Sequence, residues 1–254
     1  MASSGLAAAL LFRCDLRLDD HPALHAACKG ARSFLPIFIF DPRLHHVPTL
    51  AGARKSSARR ARFLLESVAC LRKRLEDKGS GLALVVGSLD EVLPRICGGC
   101  DRLYLTKGVS TEEIHEEQVV AQSLPRAVMQ TVVGNRLYMP DECGCVPDKA
   151  PLLFTNFKDR AESRGRIRDP LPEPERLPPL PELLDQGSCD DPWNFLPTLG
   201  QLGYPTREVE EALNDDERAV MPFEGGEIAA RRRLQKWMFD DNRLKDYFRI
   251  RNGM

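Results

Sequence analysis

The chain has 254 residues, a formal net charge of −1 and 43% hydrophobic residues. That size suits one large domain, or one domain with an appendage. The near-neutral charge excludes a global basic field aimed at nucleic acid or an anionic surface, and no apolar run approaches the roughly 20 residues that span a bilayer.

The first apolar stretch, Leu6 to Phe12, ends at Arg13. It is too short for a secretion signal with its cleavage site, so it reads as a buried strand and the protein as soluble and intracellular. Further strand-like runs follow at Phe34 to Phe40, Leu82 to Val86, Arg102 to Leu105 and Ala127 to Val133. They are short and nearly continuous in apolar character, as strands covered on both faces are. Helical patterns separate them. Asp20 before Pro22 predicts the first helix start. The clearest helix spans about 54 to 78, with Ala61, Leu64, Leu65, Val68, Leu71 and Leu75 at helical spacing and Gly79 just past its end. Ser88-Leu89-Asp90-Glu91 and Ser110-Thr111-Glu112-Glu113 both fit a capping box. Five strands alternating with helices predict a five-stranded, doubly wound parallel sheet, a Rossmann-like α/β domain over residues 1–140. Ligands of such sheets sit beyond the C-terminal strand ends, which singles out the loops after Phe12, Phe40, Val86 and Leu105.

The texture then changes. Prolines crowd residues 170–205, including Pro178-Pro179. They exclude continuous helix or central strand, so residues 141–222 read as a Pro-rich linker laid over a folded surface. Helical pattern returns at about 224–239, with Ile228, Leu234, Trp237 and Met238 apolar, and again at 241–248.

Several groups invite a chemical reading. Arg13, Asp15, Arg17 and Asp19 alternate just past the first strand, either as a ligand-lining edge or as a charge lattice. Cys97-Gly98-Gly99-Cys100 has redox or zinc half-site spacing, and Cys143 and Cys145 could complete four ligands. The predicted topology puts the two pairs on opposite sheet edges, so no shared metal site is expected, and the first pair does not open a helix as thioredoxin-like pairs do. The remaining thiols, Cys70 among them, fit small core residues in a reducing compartment. Arg54, Lys55, Arg59, Arg60 and Arg62 read as a solvated basic face. His45 and His46 fit an exposed loop, and Trp193 and Trp237 fit packing positions.

Three longer segments carry a resemblance. Arg13-Cys14-Asp15-Leu16-Arg17 with Asp19-Asp20-His21-Pro22-Ala23-Leu24 resembles the opening signature of photolyases and cryptochromes. Phe40-Asp41-Pro42 and the run Arg60 to Val68 follow in matching order. Gly225-Gly226-Glu227 opening a helix, then Tyr247-Phe248-Arg249-Ile250-Arg251-Asn252-Gly253, is similar to the entry of DASH-type cryptochromes into their flavin domain. Gly134 to Asp141 and Phe154-Thr155-Asn156-Phe157 also look like DASH linker segments. The resemblance implies a blue-light flavoprotein that repairs pyrimidine dimers in DNA or signals, with FAD in a C-terminal helical domain and often a reduced-folate antenna at the α/β domain.

On this likeness, residues 223–254 are the start of an FAD-binding helical domain, and the chain stops before the rest of it. Tyr247 is the one residue on a family flavin position, near the FAD phosphate, so this chain alone is expected not to bind FAD and not to be catalytically competent. The expected partners of residues 224–250 are the missing FAD domain or another chain, with DNA only for a full-length protein and no membrane. Asp41, Lys107 and Gly108 mark the antenna pocket region. Gly108 stands where DASH members carry a carboxylate that holds folate, so standard folate binding is not expected there, and Gly108→Glu is expected to raise folate affinity. The alternative is a standalone photolyase-like module that binds a nucleotide or a partner without light-driven chemistry.

Overall fold

The computed structural model describes residues 6–45, 52–139, 142–145, 149–181, 193, 195–214 and 223–250. His46, Asp141 and Arg251 to Gly253 lie outside them. The strands are β1 (Leu6–Phe12), β2 (Ala31–Phe40), β3 (Ala83–Val86), β4 (Arg102–Thr106) and β5 (Val128–Val132). They form one sheet in the order β3-β2-β1-β4-β5, and every pairing is parallel.

Side-chain alternation divides the core into two layers. Ala8, Leu10, Phe12, Phe34, Phe38, Phe40 and Leu84 face one way, packing on α1 (Pro22–Cys28) and α3 (Ala58–Asp77). Ala9, Leu11, Leu35, Ile37, Ile39, Leu103 and Leu105 face the other way, packing on α4 (Leu89–Ile96) and α5 (Thr111–Ser123). The crossovers before β3 thus lie on one face and those after it on the other. Strand order reverses beside β1, which makes the C-terminal end of β1 the switch point of the sheet.

The helix ends follow local chemistry with two corrections. Ser57 accepts from the Arg60 amide to cap α3, whose far end closes with Gly79 N–H to Glu76 and Ser80 N–H to Leu75. Ser110 and Glu113 complete the predicted capping box on α5, and backbone and hydroxyl donors hold the Glu113 carboxyl down at about 2. Ser88 begins α4 in extended geometry, but its hydroxyl makes no cap bond. Asp20 does not cap α1. His21 Nδ1 accepts from Leu24 instead, which frees the Asp20 carboxylate to accept from the Leu171 amide.

Residues 165–181 run extended across α1, α3 and β2. Leu171 exchanges hydrogen bonds with Asp20, Glu173 pairs with Arg74 and Lys78, and Leu177 is buried against the α3 side of the sheet. Pro179 C=O accepts from Phe34 N–H at the edge that β3 has not yet covered. Pro36, two residues on, has its missing N–H on that same side, so an interior strand tolerates a proline here. Beyond α6 (Phe154–Arg164), Leu199, Leu202 and Tyr204 complete the first core layer, and α7 (Thr206–Leu213) packs on α3.

His45, expected in an exposed loop, is buried at the end of the short α2 (Pro42–His45). Its Nδ1 lies 3.0 Å from the Tyr204 hydroxyl, which donates to Ser56 C=O. The C-terminal helical pattern breaks into shorter pieces than expected: α8 (Glu227–Leu234), a π-helical turn (Gln235–Asp240), a 3-10 turn (Arg243–Asp246) and α9 (Tyr247–Ile250). Asn242 in left-handed geometry separates the two turns. None of the described side chains in these pieces is buried, so tertiary packing does not impose one regular helix.

Candidate functional site at the C-terminal edge of the sheet

Beyond Phe12 the alternating charges form a lattice. The Asp15 carboxylate is buried, accepting from the Thr106 hydroxyl and the Arg13 amide (2.9 Å), with His21 Nε2 3.1 Å away. His21 Nδ1 accepts from Leu24 N–H, which turns Nε2 toward Asp15. Burial pushes the Asp15 carboxyl up, but the His21 hydrogen bond and charge, with Thr106 and the Arg13 amide, outweigh it and hold it at about 2. Arg13 turns across the end of β4 to Thr106 C=O (2.5 Å), Glu116 (3.3 Å) and Glu117 (3.1 Å). Arg17 donates to the carbonyls of Asp19 and Asp20 and to Asn135.

The Gly-Gly-Glu run seats α8 against this lattice. Gly225 N–H donates to Glu66 (2.8 Å), and a Cβ at Gly225 would collide with Phe63 C=O and with Glu66 and Ser67 of α3. Gly226 has φ +105°, and a Cβ there would meet Cys70 Cβ at 2.5 Å and Sγ at 2.8 Å. Only glycine admits that backbone and that approach. The next residue, Glu227, reaches under the β1 loop. It accepts from the amides of Leu18 (2.9 Å) and Asp19 (3.4 Å) and pairs with Arg74 of α3 and with Arg231, which also holds Asp19 at 2.7 Å. The motif therefore fastens the C-terminal helices to the switch point.

A cavity of about 870 Å³ opens between these elements. Its floor is the ends of β1 and β2, with Leu11, Phe12, Phe38 and Ile39. Its walls are Phe63, Leu64 and Ser67 of α3, the start of α5, and Gly226, Glu227 and Ala230 of α8. Asp41, Arg13, Arg17, Lys55, Arg60, Glu112, Glu113 and Glu116 add charge. Most of the charged groups are engaged: Arg13 with Glu116, Lys55 with Glu112 at 2.8 Å, Asp41 with Arg43, and Glu113 in its capping box. Arg17 and Arg60 line the cavity with no carboxylate partner among the described residues, and Arg60 sits in the first turn of α3, where the helix dipole is positive. An apolar floor with two such cations suits a flat ligand carrying an anionic group.

The residues singled out from sequence divide accordingly. Asp41 lines the cavity. Lys107 and Gly108 lie outside its lining. Lys107 N–H pairs with Val132, and Gly108 N–H donates to Glu117 Oε1 at 2.6 Å. A Cβ on Gly108 would collide with Glu113 Cβ and lie 3.1 Å from Glu117 Oε1, so a glutamate there adds a third carboxylate to a filled position. Tyr247 is half exposed and stands outside the cavity lining, with Phe248 beside it 81% exposed. The described residues around Tyr247 thus give no enclosure for the rings of a flavin.

Of the basic face expected early in the long helix, Arg54 and Lys55 precede α3 and Lys55, Arg59 and Arg60 are exposed as expected, while Arg54 pairs with Glu208, Lys55 with Glu112, and Arg62 with Glu66 and the Ala212 carbonyl. Trp193 packs on the second core layer under Arg95. Among the described residues no group of three or more His, Cys, Asp or Glu side chains is placed to hold a metal, and no helix is long and apolar enough to cross a membrane. The loops after Phe12 and Phe40 were legible from the switch-point rule. The α8 wall was not, because the glycine seat on α3 brings it there.

A sequence model of the DNA photolyase family matches residues 8–175. Cryptochrome DASH of Gloeobacter violaceus is 35% identical over 96% of this chain and 46% of its own length. Cryptochrome DASH of Natronomonas pharaonis is 33% identical over 97% of this chain and 50% of its own length. The crystal structure of a Synechocystis cryptochrome superposes with a TM-score of 0.85 at 29% identity, covering 99% of this chain and 50% of that one. A Sulfolobus tokodaii photolyase, solved with two FAD molecules, shares the fold with a TM-score of 0.56 at 22% identity over 68% of this chain and 37% of that one. The chain spans about half the length of the relatives it matches. The doubly wound sheet, the charge lattice past Phe12 and the Gly-Gly-Glu seat are thus those of a chain that belongs to the DNA photolyase family and is similar to the DASH-type cryptochromes.

Proposed function

We propose that this chain is the α/β portion of a DASH-like cryptochrome or photolyase, a blue-light, FAD-dependent protein of pyrimidine-dimer repair or light signalling, and that its own binding function resides in the switch-point cavity. In this reading residues 1–140 form the antenna-type domain, 141–222 the linker and 223–254 the beginning of the FAD-binding helical domain. The chain alone is not catalytically competent. FAD, when held by the complete protein, supplies the light-driven electron, and of this chain's residues Tyr247 would touch it.

The observation that carries the reading is the cavity itself. Its apolar floor, the start of α3 and the unneutralised Arg17 and Arg60 fit a planar heteroaromatic ligand with a phosphate, a flavin- or nucleotide-like molecule. The Sulfolobus tokodaii photolyase, whose structure contains two FAD molecules and implicates a novel light-harvesting cofactor, lends this ligand class support through the shared fold. Reduced folate fits less well, because the carboxylates that line the cavity are already engaged by Arg43, Lys55, Arg13 and the α5 cap.

Titration of the purified chain with flavin mononucleotide, FAD and methenyltetrahydrofolate, read by fluorescence and calorimetry, tests this. A flavin nucleotide is expected to bind in the micromolar range, and Arg60→Ala to weaken it about 10- to 100-fold through loss of one charge-assisted contact. Absence of binding by every flavin nucleotide, or binding that Arg60→Ala leaves unchanged, refutes the assignment.

A further inference from the structure

A pair of cysteines lies on the opposite edge of the sheet from the cavity. Cys97 caps the C-terminus of α4 and is buried in the second core layer, and Cys100, partly buried, packs on the same layer just before β4. Cys100 N–H donates to Cys97 C=O at 2.9 Å, closing a turn whose middle residues are Gly98 and Gly99. A hydrogen-bonded turn of this kind brings its first and fourth Cα atoms within about 7 Å, and disulfides need roughly 4.4–6.8 Å. Both ends of the turn are anchored. Cys97 N–H bonds Leu93 C=O, while Asp101 exchanges backbone and side-chain hydrogen bonds with Ala7 and its carbonyl accepts from Val128. The pair is therefore held in register by α4 on one side and by β1 and β5 on the other.

We propose that Cys97 and Cys100 form a reversible intramolecular disulfide, with Cys100 as the attacking thiol and Cys97 as the resolving one, and low-molecular-weight disulfides such as glutathione disulfide as the oxidant.

The assignment of roles follows from burial and the shared proton. The hydrogen bond from Cys97 draws the Cys100 thiol below its usual range, while the same bond and burial push Cys97 up. Cys100 is also the more accessible sulfur. As a thiolate it attacks one sulfur of the oxidant, and the released thiolate takes up a proton. The Cys97 thiol then gives up its proton and attacks the Cys100 sulfur of the mixed disulfide, expelling the second thiolate, which is protonated in turn. Two protein thiols and one small disulfide become one protein disulfide and two small thiols, so atoms and electrons balance. The site differs from thioredoxin-like pairs, which open a helix. Here the turn follows a helix, and the helix N-terminus does not activate the nucleophile.

The sequence makes the test direct. Arg95 and Arg102 bracket the pair, so trypsin releases both cysteines on one peptide, residues 96–102. The folded chain is incubated with a glutathione redox series, trapped with an alkylating reagent, digested and weighed. As the ratio of oxidised to reduced glutathione rises, this peptide is expected to lose both alkylation sites and two hydrogens, and to regain them with dithiothreitol. Cys97→Ser is expected to accumulate a glutathione adduct on Cys100, and Cys100→Ser to leave Cys97 unmodified. The wild-type measurement stands even if a variant fails to fold. Alkylation of both thiols throughout the series overturns the proposal, as does pairing of either one with a different cysteine. An adduct confined to Cys97 overturns the assignment of roles.

Discussion

Substituting Gly226 by alanine separates the docking of the C-terminal helices from the stability of the sheet domain. The backbone at this position has φ +105°, which costs an alanine about 1–3 kcal/mol. The added Cβ meets Cys70 Cβ at 2.5 Å and Sγ at 2.8 Å, and overpacking of that kind costs about 1–3 kcal/mol more. Opposing this are the bonds that seat α8, chiefly Gly225 N–H to Glu66 and the Glu227 carboxylate to the Leu18 amide and Arg74. Charge-assisted bonds contribute about 1.5–3 kcal/mol each, so strain and seat are comparable. No described side chain of α8 or of the following turns is buried, and releasing them exposes little core.

The expected outcome is therefore local. Amide exchange across residues 227–240 accelerates about tenfold or more, while the unfolding midpoint of the sheet domain moves little. Gly99→Ala, whose Cβ would meet nothing within 4 Å, is the control and is expected to leave residues 227–240 unchanged. Peptide-resolved hydrogen exchange beside chemical denaturation reads both quantities. Exchange at 227–240 equal to wild type, together with a global loss of several kcal/mol, would show that the strain passes into the core and that the seat does not work as described.

The other predictions follow from the same contacts. Asp15→Asn is expected to cost about 2 kcal/mol near neutral pH, from a carboxyl held at about 2 instead of 3.8. Because the folded value is depressed, this contribution is complete above about pH 4 and disappears as pH falls through about 2. Denaturant midpoints of wild type and variant should therefore converge over that range, and parallel profiles would refute the assignment. Gly108→Glu is expected to destabilise the start of α5 by about 1–3 kcal/mol through the Glu113 collision and to confer no micromolar folate binding, measured by thermal unfolding and by absorbance titration. Flavin bound by the chain is expected to sit away from Tyr247, so Tyr247→Phe should leave flavin affinity unchanged, and a loss of about tenfold would contradict the incomplete enclosure around Tyr247.

Local patterns were enough for the sheet, its two core layers and the Ser110–Glu113 cap. The continuous apolar runs at Leu6–Phe12 and Phe34–Phe40, and hydroxyl-to-amide spacing, act within a few residues of chain and can be read directly. The strand order then placed the ligand edge at the loops after Phe12 and Phe40, where the cavity lies. What only the tertiary structure decided depends on partners far away in sequence. Asp15 draws on Thr106, His45 is buried by Tyr204, and Arg74 and the β1 loop meet Glu227 through a glycine pair that carries no side-chain signal of its own. The Gly-Gly-Glu run was visible as a resemblance. Its physical work, holding two backbones closer than any Cβ allows so that a carboxylate can reach two amides and an arginine, appears only when residues some 200 positions apart are brought into contact.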